Sequence, residues 1–398
     1  MTDFRPFTLD DAVAIASAAL SHAAHDAVRI DSVISLGDDA RRNLILRAQA
    51  VRGGTKPRPI IIKATRAADY DAGAVNAYEV SGFVKEWAAT RYLARHRAGH
   101  PVAPELLAYD LKQGVLVYND LGDGLASLVE PLLHGTAQEA EQALTAYAEA
   151  LAALHRATIG CRDNHSAILR EGFPAAEVPP PAHRWIENVV RVPHALLGGE
   201  FPENDTDLIL QHLRQPGCWQ ALVHGDPCPD NVLFAADGRA VLIDFEFARP
   251  SHALFDAAYW RMGFPTCWCA GTIPTEVEHR IDRVYRIAMA DAVPQAGDDK
   301  AFHRESAVID AAWLLGNLAW LLPDALTEDA TWGRATNRSR IITYLQRAIR
   351  SAEAADVLPR LRMLASTWHD DLRCRWPDTP LLSDFPAFTA LPSELPGK

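Results

Sequence analysis

The stretch Leu222-Val223-His224-Gly225-Asp226-Pro227-Cys228-Pro229-Asp230-Asn231, followed by Val241-Leu242-Ile243-Asp244-Phe245-Glu246, decides the reading of this chain. One apolar run delivers His224-Gly225-Asp226, and Asn231 stands five positions after that aspartate. A second apolar run delivers Asp244, eighteen positions after Asp226. Between them Ala235-Ala236-Asp237-Gly238 reads as a hairpin turn, which predicts Asn231 and Asp244 at neighbouring strand ends. The residue types suit one piece of chemistry. An aspartate can accept a proton from an attacking hydroxyl, an asparagine offers a neutral carbonyl oxygen to a hard cation, and a second aspartate offers a charged one. Each element alone would pass as a chance loop or a strand-end turn. Three at this spacing, each against an apolar run, would not.

The arrangement resembles the aminoglycoside phosphotransferase and choline kinase-like family. Its HGDxxxxN signature stands here as His224-Gly225-Asp226 to Asn231, and its IDxE-type strand as Ile243-Asp244-Phe245-Glu246. The resemblance runs over residues 28–370, and its specific motifs are Lys63, His224 to Asn231, Asp244 and Asp256. It implies small-molecule kinases with an α+β, bilobal protein-kinase-like fold. Residues 1–118 would form a small N-lobe with an antiparallel sheet and a helix, 119–121 a hinge, and 122–398 a larger, mainly helical C-lobe. ATP would lie between the lobes. By the same resemblance Asp226 is the catalytic residue, Asn231 and Asp244 hold magnesium, and His224 keeps the loop in shape. Asp256 would start a helix and brace the loop through hydrogen bonds to its backbone; a plain helix N-cap is the other reading.

Upstream, residues 32–36, 43–48 and 59–64 read as a three-strand meander after a helix over 9–25. Lys63 ends the third strand inside Ile60-Ile61-Ile62-Lys63, in a chain with few lysines. The family's third-strand lysine reaches the α- and β-phosphates, and Lys63 takes that position. A helix over 82–95 carries Glu86, which resembles the glutamate that pairs with this lysine; Glu79, two turns earlier, stays open as its rival. The loop after the first strand has one glycine, Gly37, so a glycine-rich phosphate cover is absent. Strands at 106–110 and 114–118 lead to Asn119 and Leu121, which resemble the hinge whose main chain binds the adenine edge.

Farther on, a helix over 138–156 ends in His155, which reads as a packed or capping histidine because Asp226 already fills the role of base. Residues 158–181 read as irregular, 185–197 and 207–214 as helices, and Trp185 and Trp219 as core. Eleven residues separate Asp244 from Asp256. Protein kinases need a longer path there to hold a peptide, so the short one argues for a small acceptor. Thr275 to Glu278 reads as a capping box. Helices over 306–322, 341–349 and 357–368 would complete the chain, with Asp370-Asp371 on a solvated end and a frayed tail from 391.

The 398 residues, 48% of them apolar, suffice for a two-lobed core. A net charge of −12 argues against nucleic acid and anionic membrane as partners and suits a cationic substrate. Six sparse, irregularly spaced cysteines predict reduced thiols rather than a disulfide framework. The start of the chain lacks the basic flank and apolar core of a signal peptide, and 311–322 is too short to span a bilayer, so a cytoplasmic protein is expected. The resemblance implies ATP-dependent transfer of a phosphoryl group to the hydroxyl of a small molecule. The leading acceptor is an aminoglycoside-like antibiotic, which would make resistance the biological role, or another hydroxylated amine. Sugars, choline-like alcohols, nucleosides and macrolides, GTP in place of ATP, and a nucleotide-binding protein that no longer transfers phosphate all stay open, as does the oligomeric state.

Overall fold

The computed structural model describes residues 7–37, 42–66, 70–75, 77–96, 102–174 and 184–389. The side chain of Glu79, most of the loop after Gly37, the Pro179-Pro180-Pro181 run and the tail from 391 lie outside the described residues. The chain divides into two compact units. The first gathers residues 1–125, 163–179 and 241–248; the second holds 126–162, 180–240 and 249–398.

The first unit is a sheet with a helix packed on it. Helix α1 (Leu9–Ala24) starts where Thr8 and Asp11 cap each other's backbone N–H groups, and it buries Ala12, Ala16 and Leu20 along one stripe. Strands β1 (Val28–Ser35), β2 (Asn43–Arg52) and β3 (Arg58–Thr65) form the expected meander. After helix α2 (Tyr78–Arg95) come β4 (Leu106–Asp110) and β5 (Val115–Asn119). The sheet order is β1-β2-β3-β5-β4, antiparallel throughout. Side chains alternate across a strand. Leu44, Leu46, Ile60, Ile62, Ala64, Val115 and Val117 therefore meet α1 in one apolar core. Lys63 and Tyr118 sit one position out of phase with Ile62 and Val117 and leave by the other face, where Glu86 of α2 meets both.

Residues 163–179 belong to this unit. Part of the stretch expected to be irregular is a helix: Arg162–Gly172 buries His165, Ile168 and Leu169. Its polar majority hid a stripe at helical spacing. Past its end Phe173 meets the Trp87 ring edge-on, 5.5 Å between centroids. A Cβ on Gly172 would lie 2.3 Å from the Trp87 ring, so only glycine permits this approach.

The second unit is mainly helical. Ala137–Ala157 packs along Thr275–Met289, and the buried helix Asp299–Ala325 packs against Asn337–Ala354 and Leu254–Arg261. Asp299–Ala325 is longer than its apolar centre suggested. It is long and apolar enough to cross a membrane by length and composition, and 83% of that apolar window is buried in the fold. The helix expected over 185–197 breaks into Arg184–Val189 and Val192–Leu197. Trp219 is buried, whereas Trp185 stays 39% exposed with its ring edge against Gly316. Thr275 does not cap its helix: Pro274 holds the cap position, and Glu278 instead pairs with Arg347. A two-stranded ribbon of Gln220–Val223 and Arg249–His252 lies antiparallel in this unit, with Val223 opposite Arg249.

Candidate active site

In the first unit, strand alternation and the α2 register bring three charged groups together. Lys63 Nζ lies 2.5 Å from Glu86 Oε2 and 2.5 Å from Asp244 Oδ1. Tyr118 Oη donates to the other Glu86 oxygen at 3.1 Å. Glu246, two residues past Asp244, pairs with Arg42. Asp244 has φ +65°, a left-handed conformation that aspartate tolerates better than most side chains. Burial opposes the Lys63 charge, but Glu86 and Asp244 outweigh it and hold the ammonium above its ordinary range. Burial pushes the Glu86 carboxyl up to about 7, with Lys63 acting against the rise and Asp244 adding to it. Burial, then the charge of Asp244, also raises Glu246.

Asn119 is tied to Glu105: its N–H donates to the Glu105 carbonyl at 3.0 Å, and its side-chain oxygen accepts from the Glu105 N–H. The half-buried Leu121 is different. Its N–H and C=O enter no hydrogen bond with the described residues.

In the second unit, the ribbon strand ending at Val223 delivers His224-Gly225-Asp226. Gly225 has φ +82°, which a glycine meets without strain. Asp256, in the first turn of Leu254–Arg261, accepts from the backbone N–H of His224 at 2.6 Å and of Gly225 at 2.9 Å. His155 Nε2 also lies 3.0 Å from Asp256, and His155 Nδ1 lies 2.8 Å from Tyr285 Oη. Burial alone would raise the Asp256 carboxyl, but His155, then the His224 ring and the Gly225 N–H, hold it below the usual range. Tyr147 Oη donates to the Pro227 carbonyl, and Asn231 Nδ2 to the Asp226 carbonyl at 3.0 Å. The asparagine's amide nitrogen faces its own loop, and its Oδ1 accepts no hydrogen bond from the described residues.

The Asp226 carboxylate is held on one oxygen. Oδ1 accepts from Thr266 Oγ1 at 2.7 Å and from Tyr259 Oη at 3.0 Å, while Oδ2 accepts no hydrogen bond from the described residues. Burial raises this carboxyl above its ordinary value. Thr266, His224 and Tyr259 pull the other way, and Asp230 adds slightly to the rise. The sequence reading did not reach Tyr259 or Thr266, because nothing in their local pattern marks them.

Cysteine is a correction. Cys228, two residues after Asp226, is disulfide-bonded to Cys267, with 5.7 Å between their Cα atoms. The other four cysteines are free thiols. The two partners lie 39 positions apart with no repeated spacing, so only the folded chain reveals the pair.

No group of three or more His, Cys, Asp or Glu side chains among the described residues is arranged to hold a metal. Asn231 Oδ1 and the Asp244 carboxylate are hard oxygen donors of the kind magnesium takes alongside phosphate and water. The Asp244 side chain is 37% exposed, and each of these oxygens, taken by itself, suits that ion in kind.

A phosphotransferase is the class this fold and loop define. The chain belongs to the phosphotransferase enzyme family, whose model matches residues 31–280, more than half of the chain. It is a small-molecule kinase with the protein-kinase-like fold of that family. No curated protein matches it by sequence. Similar solved structures include an ethanolamine kinase of Plasmodium vivax, at 11% identity over 84% of each chain and a TM-score of 0.48. Another is a spectinomycin phosphotransferase in complex with ADP and spectinomycin, at 13% identity over 88% of this chain and 99% of that one, TM-score 0.47. A macrolide 2'-phosphotransferase from Brachybacterium faecium matches at 16% identity over 77% and 92%, TM-score 0.43.

Proposed function

We propose that this enzyme moves the γ-phosphoryl group of ATP onto a hydroxyl of a hydroxylated amine, with an aminoglycoside-like antibiotic as the leading acceptor. The observation that carries the reading is the Asp226 carboxylate, anchored through Oδ1 while Oδ2 accepts no hydrogen bond from the described residues. The bond from the γ-phosphorus to the ADP oxygen breaks, a bond from phosphorus to the acceptor oxygen forms, and the acceptor proton passes to Asp226. Lys63, held by Glu86, positions the phosphates, and the main chain at Leu121 meets the base, since the Asn119 N–H is taken by the Glu105 carbonyl. His224 and Asp256 hold the loop. Asn231 and Asp244 would hold magnesium, which when bound offsets phosphate charge. Catalysis of this kind is mostly positioning and charge compensation. The net charge of −12 and the short path from Asp244 to Asp256 favour a small cationic acceptor over a peptide.

The test is a mass-spectrometric screen for acceptors that gain one phosphate from Mg-ATP, over aminoglycosides, choline, ethanolamine, macrolides, sugars and nucleosides. Phosphate is expected on an amine-bearing alcohol, and Asp226→Ala should lower turnover by orders of magnitude while nucleotide affinity holds within about threefold. Phosphate found only on neutral alcohols would remove the amine from the proposal. Full activity in Asp226→Ala would remove the assigned base. Nucleotide binding with no transfer to any acceptor would leave a silent member of the fold.

A further inference from the structure

We infer that Thr266 and Tyr259 are positioning residues for phosphoryl transfer, a hydroxyl pair that occupies Oδ1 of Asp226 so that Oδ2 alone takes the acceptor proton. The inference rests on Asp226 as the base. A carboxylate oxygen offers two lone pairs in its plane. Thr266 Oγ1 and Tyr259 Oη approach Oδ1 at 2.7 and 3.0 Å, and the two hydroxyls lie 2.8 Å from each other. Each has one proton to give. With both directed to Oδ1, that oxygen is saturated and the carboxylate cannot rotate about χ2 without losing both bonds. Oδ2 is left as the proton acceptor.

The supports of the pair are built in. Tyr259 is fully buried on the helix that also carries Asp256, so one helix holds the loop backbone and the loop carboxylate. After that helix, Gly263 and Phe264 take positive φ values of 76° and 54° and turn the chain back. Thr266 thereby returns to its partner seven residues upstream. The returning segment is fixed from behind by Arg340, itself fully buried, whose guanidinium donates to the carbonyls of Pro265, Cys267 and Trp332. Tyr344 Oη donates to the Pro265 carbonyl as well. The Cys228–Cys267 bond ties the residue after Thr266 to the loop two residues after Asp226. So many restraints around one threonine exceed what a surface turn needs. Burial and the charge of Asp226 raise the Tyr259 phenol well above its ordinary value, which keeps it a proton donor.

The experiment measures Mg-ATP hydrolysis without added acceptor, where water takes the acceptor's place. Thr266→Val and Tyr259→Phe should each lower kcat by about 10- to 100-fold with KM for Mg-ATP within about twofold, because they misplace the base without touching the nucleotide. Thr266→Ser, which restores the hydroxyl, should recover most of the rate; a role in packing alone would not follow the hydroxyl. Wild-type kcat in both Thr266→Val and Tyr259→Phe, alongside a dead Asp226→Asn, overturns the inference and leaves the base assignment standing. Failure of Thr266→Ser to recover the rate also overturns it. Hydrolysis that is absent in the wild type, or indifferent to Asp226→Asn, overturns the assignment of the base and the inference with it.

Discussion

Lys63 Nζ reaches Asp244 Oδ1 at 2.5 Å, although 181 positions separate the two residues. The same ammonium holds Glu86, so one cation serves two carboxylates, Glu86 buried and Asp244 partly exposed. A lysine shared in this way is held in one orientation, and the cost of desolvating it is offset within the fold.

This sharing has a consequence for stability against pH. Glu86 sits at about 7 in the folded chain against an ordinary value of 4.5, so the folded state keeps a proton that the unfolded state releases. Its contribution is fully present below about 4.5 and is lost as pH rises through about 7. Urea midpoints taken at pH 5 and pH 8 should show wild type losing about 1–3 kcal/mol more than Glu86→Gln over that interval. Identical pH dependence in the two proteins would count against a buried, raised carboxyl.

Asp256 runs in the opposite direction. Its folded value is held below 3.8, so its contribution is present above that value and fades as pH falls through the lower folded value. Asp256→Ala leaves the N–H groups of His224 and Gly225 and the His155 ring without their acceptor. The loss at neutral pH should be about 3–5 kcal/mol by chemical denaturation, narrowing in acid as the wild-type carboxyl protonates. A loss below about 1 kcal/mol would mean that these bonds do not brace the loop.

The disulfide closes a loop across 39 positions. A cross-link of that span restricts the unfolded chain by about 4 kcal/mol in the loop-entropy model. Cys267→Ser should therefore unfold at a lower denaturant concentration than the oxidised wild type, and a reducing agent should bring the two midpoints together. Midpoints that already coincide without reductant would show that the bond contributes nothing to stability.

What the sequence made legible was local. His224 to Asn231 and Ile243 to Glu246 could be read because each motif rides on its own apolar run, and Lys63 because it interrupts one. The α1 stripe and the β2 and β3 alternation follow from the same periodicity. Contacts assembled over long separations were not legible. Thr266 lies 40 positions from Asp226, and no spacing rule joins a hydroxyl to a distant carboxylate. Cys228 and Cys267 carry no repeat, and nothing local marks Arg340, which is wholly buried against three carbonyls. The helix Arg162–Gly172 escaped notice because its stripe is short and its neighbours are charged.

The first unit is sewn from three separate pieces of chain, and this limits how the protein can be cut. A fragment ending at residue 125 would keep the whole five-stranded sheet yet lose Phe173 from the Trp87 ring and Asp244 from Lys63. On the ribosome the same arithmetic applies: the lysine can find its second carboxylate only once residue 244 has cleared the exit tunnel. The unit that carries Lys63 is thus finished late in synthesis, after residues 224–231 have already been made.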